Sequence, residues 1–119
     1  MPIKIEDGTD DIVEIRAIGK LTKEDFTAFV PEFEGRVRRL GKLRVLFDIT
    51  SFDGWQPDGI WEEIKFDWKH NSDYRRLAVV GDEKWQHLLV TAFKPFTFAE
   101  VRYFSLPQSD QARQWLLRP

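Results

Sequence analysis

Two histidines, His70 and His87, are the side chains that could carry a proton near neutral pH, and His70 has a carboxylate three residues away on either side, Asp67 and Asp73. A histidine oriented by a carboxylate is half of a general base. No serine stands in a Gly-x-Ser-x-Gly turn to be activated by it, however, and the chain has no cysteine. Asp48, at the end of an apolar run, is suited to hold the following loop by accepting backbone N–H bonds. The groups Asp7, Asp10 and Asp11, and Asp48 with Asp53, lack the alternating ligand spacing of a calcium loop, and two scattered histidines make no zinc site. Gly81-Asp82 belongs to neither Gly-x-Gly-x-x-Gly nor Gly-x-x-x-x-Gly-Lys, so no phosphate-binding motif stands behind it; Asp82 reads as a helix N-cap accepting from the N–H of Lys84 or Trp85. These residues predict no catalytic group, no metal and no cofactor, and a protein that is not an enzyme.

The apolar chemistry is richer. Five Trp, ten Phe and two Tyr stand in the chain, each able to bury about 150–250 Å². In the segment from Asp58 to His70, Ile60, Trp61, Ile64 and Trp68 share one face at 100° per residue, while Phe66 points almost directly away. A helix with two apolar faces makes two apolar contacts. The pattern predicts a ligand-binding cavity between this helix and the next, walled by Trp55, Trp61, Ile64, Trp68, Trp85, Leu89 and Phe93. Gly54 and Gly59 at its entrance would let it move as a lid. The occupant predicted is a small apolar ligand; in the alternative, the same rings form a protein interface, including that of a homodimer.

The elements that must hold these residues follow from the hydrophobic period. Ile3 and Ile5, then Val13, Ile15 and Ala17 after a turn at Asp7-Gly8, alternate as a hairpin. Thr22 and Asp25 approximate a capping box for a helix whose stripe is Phe26, Phe29, Val30, Phe33, Val37 and Leu40, with Pro31 off the stripe and expected to kink it. Leu43 to Ile49 contains the unbroken apolar run Val45-Leu46-Phe47 and predicts a strand covered on both faces. A loop with Gly54 and Pro57 leads to the second helix. Leu77 to Val80 is a buried strand, and a third helix begins after Asp82 with the stripe Trp85, Leu88, Leu89, Ala92 and Phe96, its regular turns ending near Phe93 before Pro95. Val101 to Phe104 is the last strand, and Ser109 or Asp110 caps a short helix carrying Ala112, Trp115 and Leu116. The predicted order, ββαβαβαβα, implies an α/β fold with a mostly parallel sheet in a single domain, 1–119.

Composition limits the partners. A chain of 119 residues fits one core and should bury roughly 65% of its unfolded surface. Eighteen Lys and Arg against twenty Asp and Glu leave a net charge of −2, so nucleic acid is not expected as a partner. No stretch approaches the roughly 20 apolar residues of a membrane span, and the first residues lack a secretory leader, which predicts no stable membrane insertion and a cytoplasmic location.

Three stretches carry a family resemblance: Arg76-Leu77-Ala78-Val79-Val80-Gly81-Asp82-Glu83-Lys84-Trp85, Ala99-Glu100-Val101-Arg102-Tyr103-Phe104, and Ala112-Arg113-Gln114-Trp115-Leu116. Together they resemble the SpoIIAA-like family, a relative of the STAS domains. The resemblance implies a sheet of about five strands, the first antiparallel to the rest, with helices packed chiefly on one face. It also implies kinship in shape with CRAL-TRIO lipid carriers and a small non-polar ligand. One departure is plain. Anti-sigma-factor antagonists of this kind carry a regulatory phosphoserine at the start of the helix after the third strand. The corresponding stretch here, Phe52-Asp53-Gly54-Trp55-Gln56-Pro57-Asp58-Gly59, has no hydroxyl to receive a phosphoryl group; Thr50 and Ser51 lie upstream of it.

Overall fold

Alternating branched and aromatic residues draw five segments into one sheet: β1 (Ile3–Asp7), β2 (Ile12–Leu21), β3 (Leu43–Trp55), β4 (Tyr74–Gly81) and β5 (Glu100–Ser105). Four α-helices among the described residues punctuate them: α1 (Lys23–Leu40), α2 (Pro57–His70), α3 (Lys84–Phe93) and α4 (Ser109–Leu116). The computed structural model describes residues 2–70, 72–93 and 100–119, with the backbone alone for Asp67, Trp68 and Phe93. The strands lie in the sheet in the order β1-β2-β3-β4-β5. β1 and β2 form the antiparallel hairpin, in the register Ile3↔Ala17, Ile5↔Ile15 and Asp7↔Val13. Every later neighbour is parallel.

Side-chain alternation sorts the core into two layers. Val13, Ile15 and Ala17 of β2, Leu43, Val45 and Ile49 of β3, and Val79 of β4 face a cluster that also holds Phe26, Phe29 and Phe33 of α1 and Phe66 of α2. Leu89 and Val90 of α3 pack against it. The intervening residues Ile12, Leu46, Ala78, Val80 and Phe104 face the other way, onto Ala112, Trp115 and Leu116 of α4. The unbroken apolar runs of β3 and β4 are thus covered on both faces, as their sequences predict. Arg44 and Arg76 hold the end of α4: Arg76 Nη1 donates to the Trp115 carbonyl at 2.7 Å, and Arg44 Nη1 donates to the Leu116 carbonyl.

Local chemistry sets the element ends. The Thr22 N–H donates to Asp25 Oδ2 at 2.8 Å and the Asp25 N–H returns a bond to Thr22 Oγ1 at 3.3 Å, which completes the predicted capping box. α1 runs unbroken through Pro31, whose ring is exposed. Arg36 and Arg39 near its end reach Asp7 of β1 at 3.3 and 3.0 Å and tie the helix to the sheet edge.

Two expectations about the middle of the chain are corrected. The segment 50–55, read as a loop, continues β3: it pairs with the tail of β2 in the register Ile18↔Ser51, Gly19↔Phe52 and Leu21↔Trp55. The sequence pattern fails there because the ladder slips at Arg16/Ile18 and Gly19/Lys20, and because Gly54 sits at φ 111°, a conformation open to glycine. β4 stops pairing with β3 at Asp48↔Val80, so this outer half of β3 has β2 as its neighbour on one side alone.

The second correction concerns α2, which is turned the opposite way round from the prediction. Phe66 is buried and touches Phe29 and Phe33, with ring centroids 5.5 and 4.9 Å away, while Ile60, Trp61 and Ile64 are exposed. The buried stripe is Gly59, Phe66 and His70. Gly59 explains the choice: a Cβ there would lie 2.2 Å from the Leu21 carbonyl oxygen, so this face alone lets the helix approach the end of β2. The Gln56 N–H donates to that same Leu21 carbonyl at 2.8 Å. Gly59 is therefore a contact point between helix and sheet and not the free hinge expected of a lid.

Candidate functional site

Between the sheet and the helices α1, α2 and α3 lies an apolar cavity of about 110 Å³. Its floor is Ile3, Phe47, Ile49, Leu77, Val79 and Val101 of the strands. Phe26 and Phe29 of α1, Phe66 of α2, and Leu89 and Val90 of α3 form the roof. Leu21, Phe52 and Trp55, on the β2–β3 overhang, and Tyr74, at the start of β4, complete the wall. Glu63 of α2 brings the one carboxylate among the described lining residues.

Of the residues predicted to wall a pocket, Trp55 and Leu89 line this one. Trp61, Ile64 and Trp85 do not; they are 63%, 40% and 39% exposed. The side chains of Trp68 and Phe93 lie outside the described residues. The space is also differently placed. It lies beneath the helix layer, against the sheet, because α2 presents its Phe66 face inward and carries its larger apolar residues on the outside. Phe52 joins Trp55 edge to face at 4.9 Å and Trp85 at 6.0 Å, so Trp85 touches the wall from behind without lining the cavity.

Gln86 was not singled out by its type or spacing, yet it holds this end of the sheet together. It is 1% exposed. Its Nε2 donates to the Ile49 carbonyl at 2.7 Å, on the part of β3 that β4 no longer pairs. Its Oε1 accepts from the N–H groups of Asp82 and Glu83 at 2.9 and 3.3 Å. The predicted cap by the Asp82 carboxylate is thus corrected: Asp82 is exposed, and a side chain from inside α3 satisfies the turn instead. The signal in the sequence is a glutamine in the first turn of α3, three and four residues before the apolar Leu89 and Val90.

The candidate proton carriers are placed structurally. His70 is 4% exposed, its ring 4.6 Å from Phe66 and 5.2 Å from Phe33, with Nδ1 bonded to Asp73 Oδ2 at 2.6 Å. His87 stacks on Tyr103 with centroids 4.5 Å apart and planes 7° from parallel. Desolvation, reinforced by Asp82, raises the Tyr103 hydroxyl above its ordinary value. Asp48 acts as predicted: its Oδ1 accepts from the Thr50 N–H at 2.9 Å and the Thr50 hydroxyl at 2.6 Å, while Oδ2 meets Arg16 at 3.3 Å. Ser51 is exposed on β3. A second, polar groove of about 320 Å³ lies on the other face of the sheet beside α4. Four of its charged side chains pair as Arg16–Asp48 and Arg113–Glu14, the latter at 2.7 Å. No group of three or more His, Asp or Glu residues placed to hold a metal ion occurs among the described residues. No helix among them is long and apolar enough to cross a membrane.

A mixed five-stranded sheet with three helices on one face, one on the other and an antiparallel first strand defines a STAS-type domain. The SpoIIAA-like family model matches residues 12–117, and the chain belongs to that family. A solved structure of a DUF3478-family protein with a SpoIIAA-like fold, from Shewanella loihica PV-4, is 30% identical over 96% of this chain and 91% of that one, with a TM-score of 0.81. The unphosphorylated anti-sigma factor antagonist SpoIIAA shares the fold at 12% identity, over 93% of this chain and 97% of its own, with a TM-score of 0.63. A comparison with curated proteins finds no match.

Proposed function

We propose that this domain binds a small apolar molecule in the cavity between its sheet and α1, α2 and α3, and that it does so without catalysing a reaction. The observation that carries the reading is the cavity itself, walled by aromatic and aliphatic side chains from every strand and three helices. A molecule that fills about 110 Å³ of apolar space gains on the order of 2–3 kcal/mol in packing. Absence of catalysis is supported by the histidines, one locked among core rings and the other stacked on a tyrosine. Titration with toluene tests the binding. Saturation should raise the melting temperature and change the fluorescence of Trp55, and Leu89→Phe, which fills the space, should abolish both effects. Unchanged melting and emission at saturating toluene would refute the reading.

A second reading rests on a different observation. Ile60, Trp61, Ile64, Trp85 and Leu88 are exposed on the outer faces of α2 and α3, Leu88 by 70%. Large apolar side chains held in water suit a protein-interaction or regulatory module. SpoIIAA, whose fold this chain shares, is an anti-sigma factor antagonist. If the partner is a second copy, sedimentation should give a dimer that Trp61→Glu dissociates; a monomer at every concentration would rule that partner out.

A further inference from the structure

β1 is one edge of the sheet, and its two charged side chains on the α4 side have no complement within the monomer. Lys4 stands opposite Arg16 and Glu6 opposite Glu14. In each pair the β2 residue has its counter-ion elsewhere, Arg16 with Asp48 at 3.3 Å and Glu14 with Arg113 at 2.7 Å. Lys4 and Glu6 are exposed, and each is left facing a like charge, which costs stability in an antiparallel pair. The backbone of the edge is equally well defined. The Ile18 N–H donates to the Pro2 carbonyl and the Gly8 N–H to the Ile12 carbonyl, both at 2.7 Å. Residues 2, 4, 6 and 8 therefore turn their backbone polar groups toward β2. The N–H and C=O groups of Ile3, Ile5 and Asp7 point the other way, off the sheet, where no other described backbone group meets them.

We propose that this edge pairs antiparallel with β1 of a second copy about a two-fold axis at Ile5, joining two five-stranded sheets into one. In that register Ile5 exchanges hydrogen bonds with Ile5 of the second copy, and Ile3 with its Asp7, so the outward groups find partners. Lys4 lies directly opposite Glu6 of the second copy, and Glu6 opposite its Lys4. These are the non-hydrogen-bonded positions, where Cα atoms approach to about 4.5 Å and side chains come closest. The neighbouring registers of the same phase centre on Lys4 or on Glu6 and set that residue against its own counterpart, like charge on like. Charge on an edge strand ordinarily keeps a second strand away. Here the order Lys4-Ile5-Glu6 is self-complementary under two-fold symmetry, so the same charges admit one register. The surface lies apart from the outer faces of α2 and α3, and the proposal depends on neither reading above.

Sedimentation of the intact chain tests the pairing. Wild type should show a monomer–dimer equilibrium. Lys4→Glu and Glu6→Lys each place like charges at both facing positions and should weaken the dimer by about tenfold or more. Within the monomer each substitution turns a like-charge pair with β2 into an opposite one, so neither should lower the melting temperature. Mixed in equal amounts, the two variants are complementary at every position and should form a heterodimer at least as tight as the wild-type dimer. Amide exchange on wild type gives a check that needs no variant: the N–H groups of Ile3, Ile5 and Asp7 should exchange more slowly as concentration rises. A wild-type monomer up to millimolar concentration would overturn the proposal. So would exchange at these three amides that ignores concentration, or a mixture that stays monomeric. A dimer lost in Trp61→Glu and kept in both β1 variants would belong to the outer faces of α2 and α3 and overturn it as well.

Discussion

Gln86 substitutes for a missing strand. Beyond Asp48 the edge of β3 has lost β4, and the glutamine amide supplies the donor that the Ile49 carbonyl would otherwise lack. Its carbonyl meanwhile serves the turn that starts α3. Gln86→Ala leaves the buried Ile49 carbonyl without this partner and removes the acceptor of the Asp82 and Glu83 N–H groups, so it should lower unfolding stability by about 1–3 kcal/mol in urea titrations. Gln86→Glu, which sets a buried carboxylate oxygen against the Ile49 carbonyl in place of the donor, should cost more than Gln86→Ala at neutral pH. A second prediction concerns acid. Desolvation raises the Asp7 carboxyl, but the hydrogen bond and charge of Arg39, with Arg36 beside it, outweigh that and hold it below its ordinary 3.8. A lowered carboxyl contributes stability that is present above 3.8 and is lost as the pH falls through the lower folded value. Asp7→Asn should therefore melt earlier than wild type at pH 7, and the gap should close as the pH is brought below 3.8 in a series of melts. A gap that persists in acid would assign the effect to packing.

At the level of elements, α2 teaches most. Alanine normally stabilises a helix interior by about 1 kcal/mol relative to glycine. Gly59→Ala should do the opposite, because its Cβ would lie 2.2 Å from the Leu21 carbonyl oxygen; a loss of about 1–3 kcal/mol in denaturant unfolding is expected. A gain would mean that α2 sits further from β2 than described. The same glycine shows why the helix was legible in extent and not in orientation. The hydrophobic period predicts α2 to within one residue of its observed start, and with local chemistry it predicts the element order, the hairpin, the capping box of α1 and the two-sided burial of β3 and β4. Those features depend on period and on local bonds. Orientation depended on which face could come close to β2, and that face holds a glycine, Glu63 and a histidine beside Phe66, a set that scores as polar. The extension of β3 was hidden for a related reason, since two slips of register and Gly54 erase the alternation that announces a strand. Trp55 and Leu89 are legible as lining residues because they are large and apolar; Glu63 is not, because a charge reads as surface.

For the molecule as a whole, the described residues place apolar surface in a recess against the sheet and in an open patch on the outer faces of α2 and α3. The open one should be energetically separable. Trp61→Glu and Leu88→Glu alter side chains that are 63% and 70% exposed, so each should change monomer stability by no more than about 0.5 kcal/mol. Both should leave toluene binding intact while altering any self-association through that patch seen by sedimentation. A large loss of stability in either variant would place these residues in a packed core.

The strand order also has a consequence in time. Because β1 to β5 stand in the sheet as they stand in the chain, each strand emerging from a ribosome finds its neighbour already laid down, and no earlier pairing has to be opened to admit a later one. α4 comes after every strand, so Ile12, Leu46, Ala78, Val80 and Phe104 wait uncovered until it docks. During that interval the nascent chain exposes a flat, adhesive surface, and the newborn protein depends for its solubility on how fast Trp115 and Leu116 arrive.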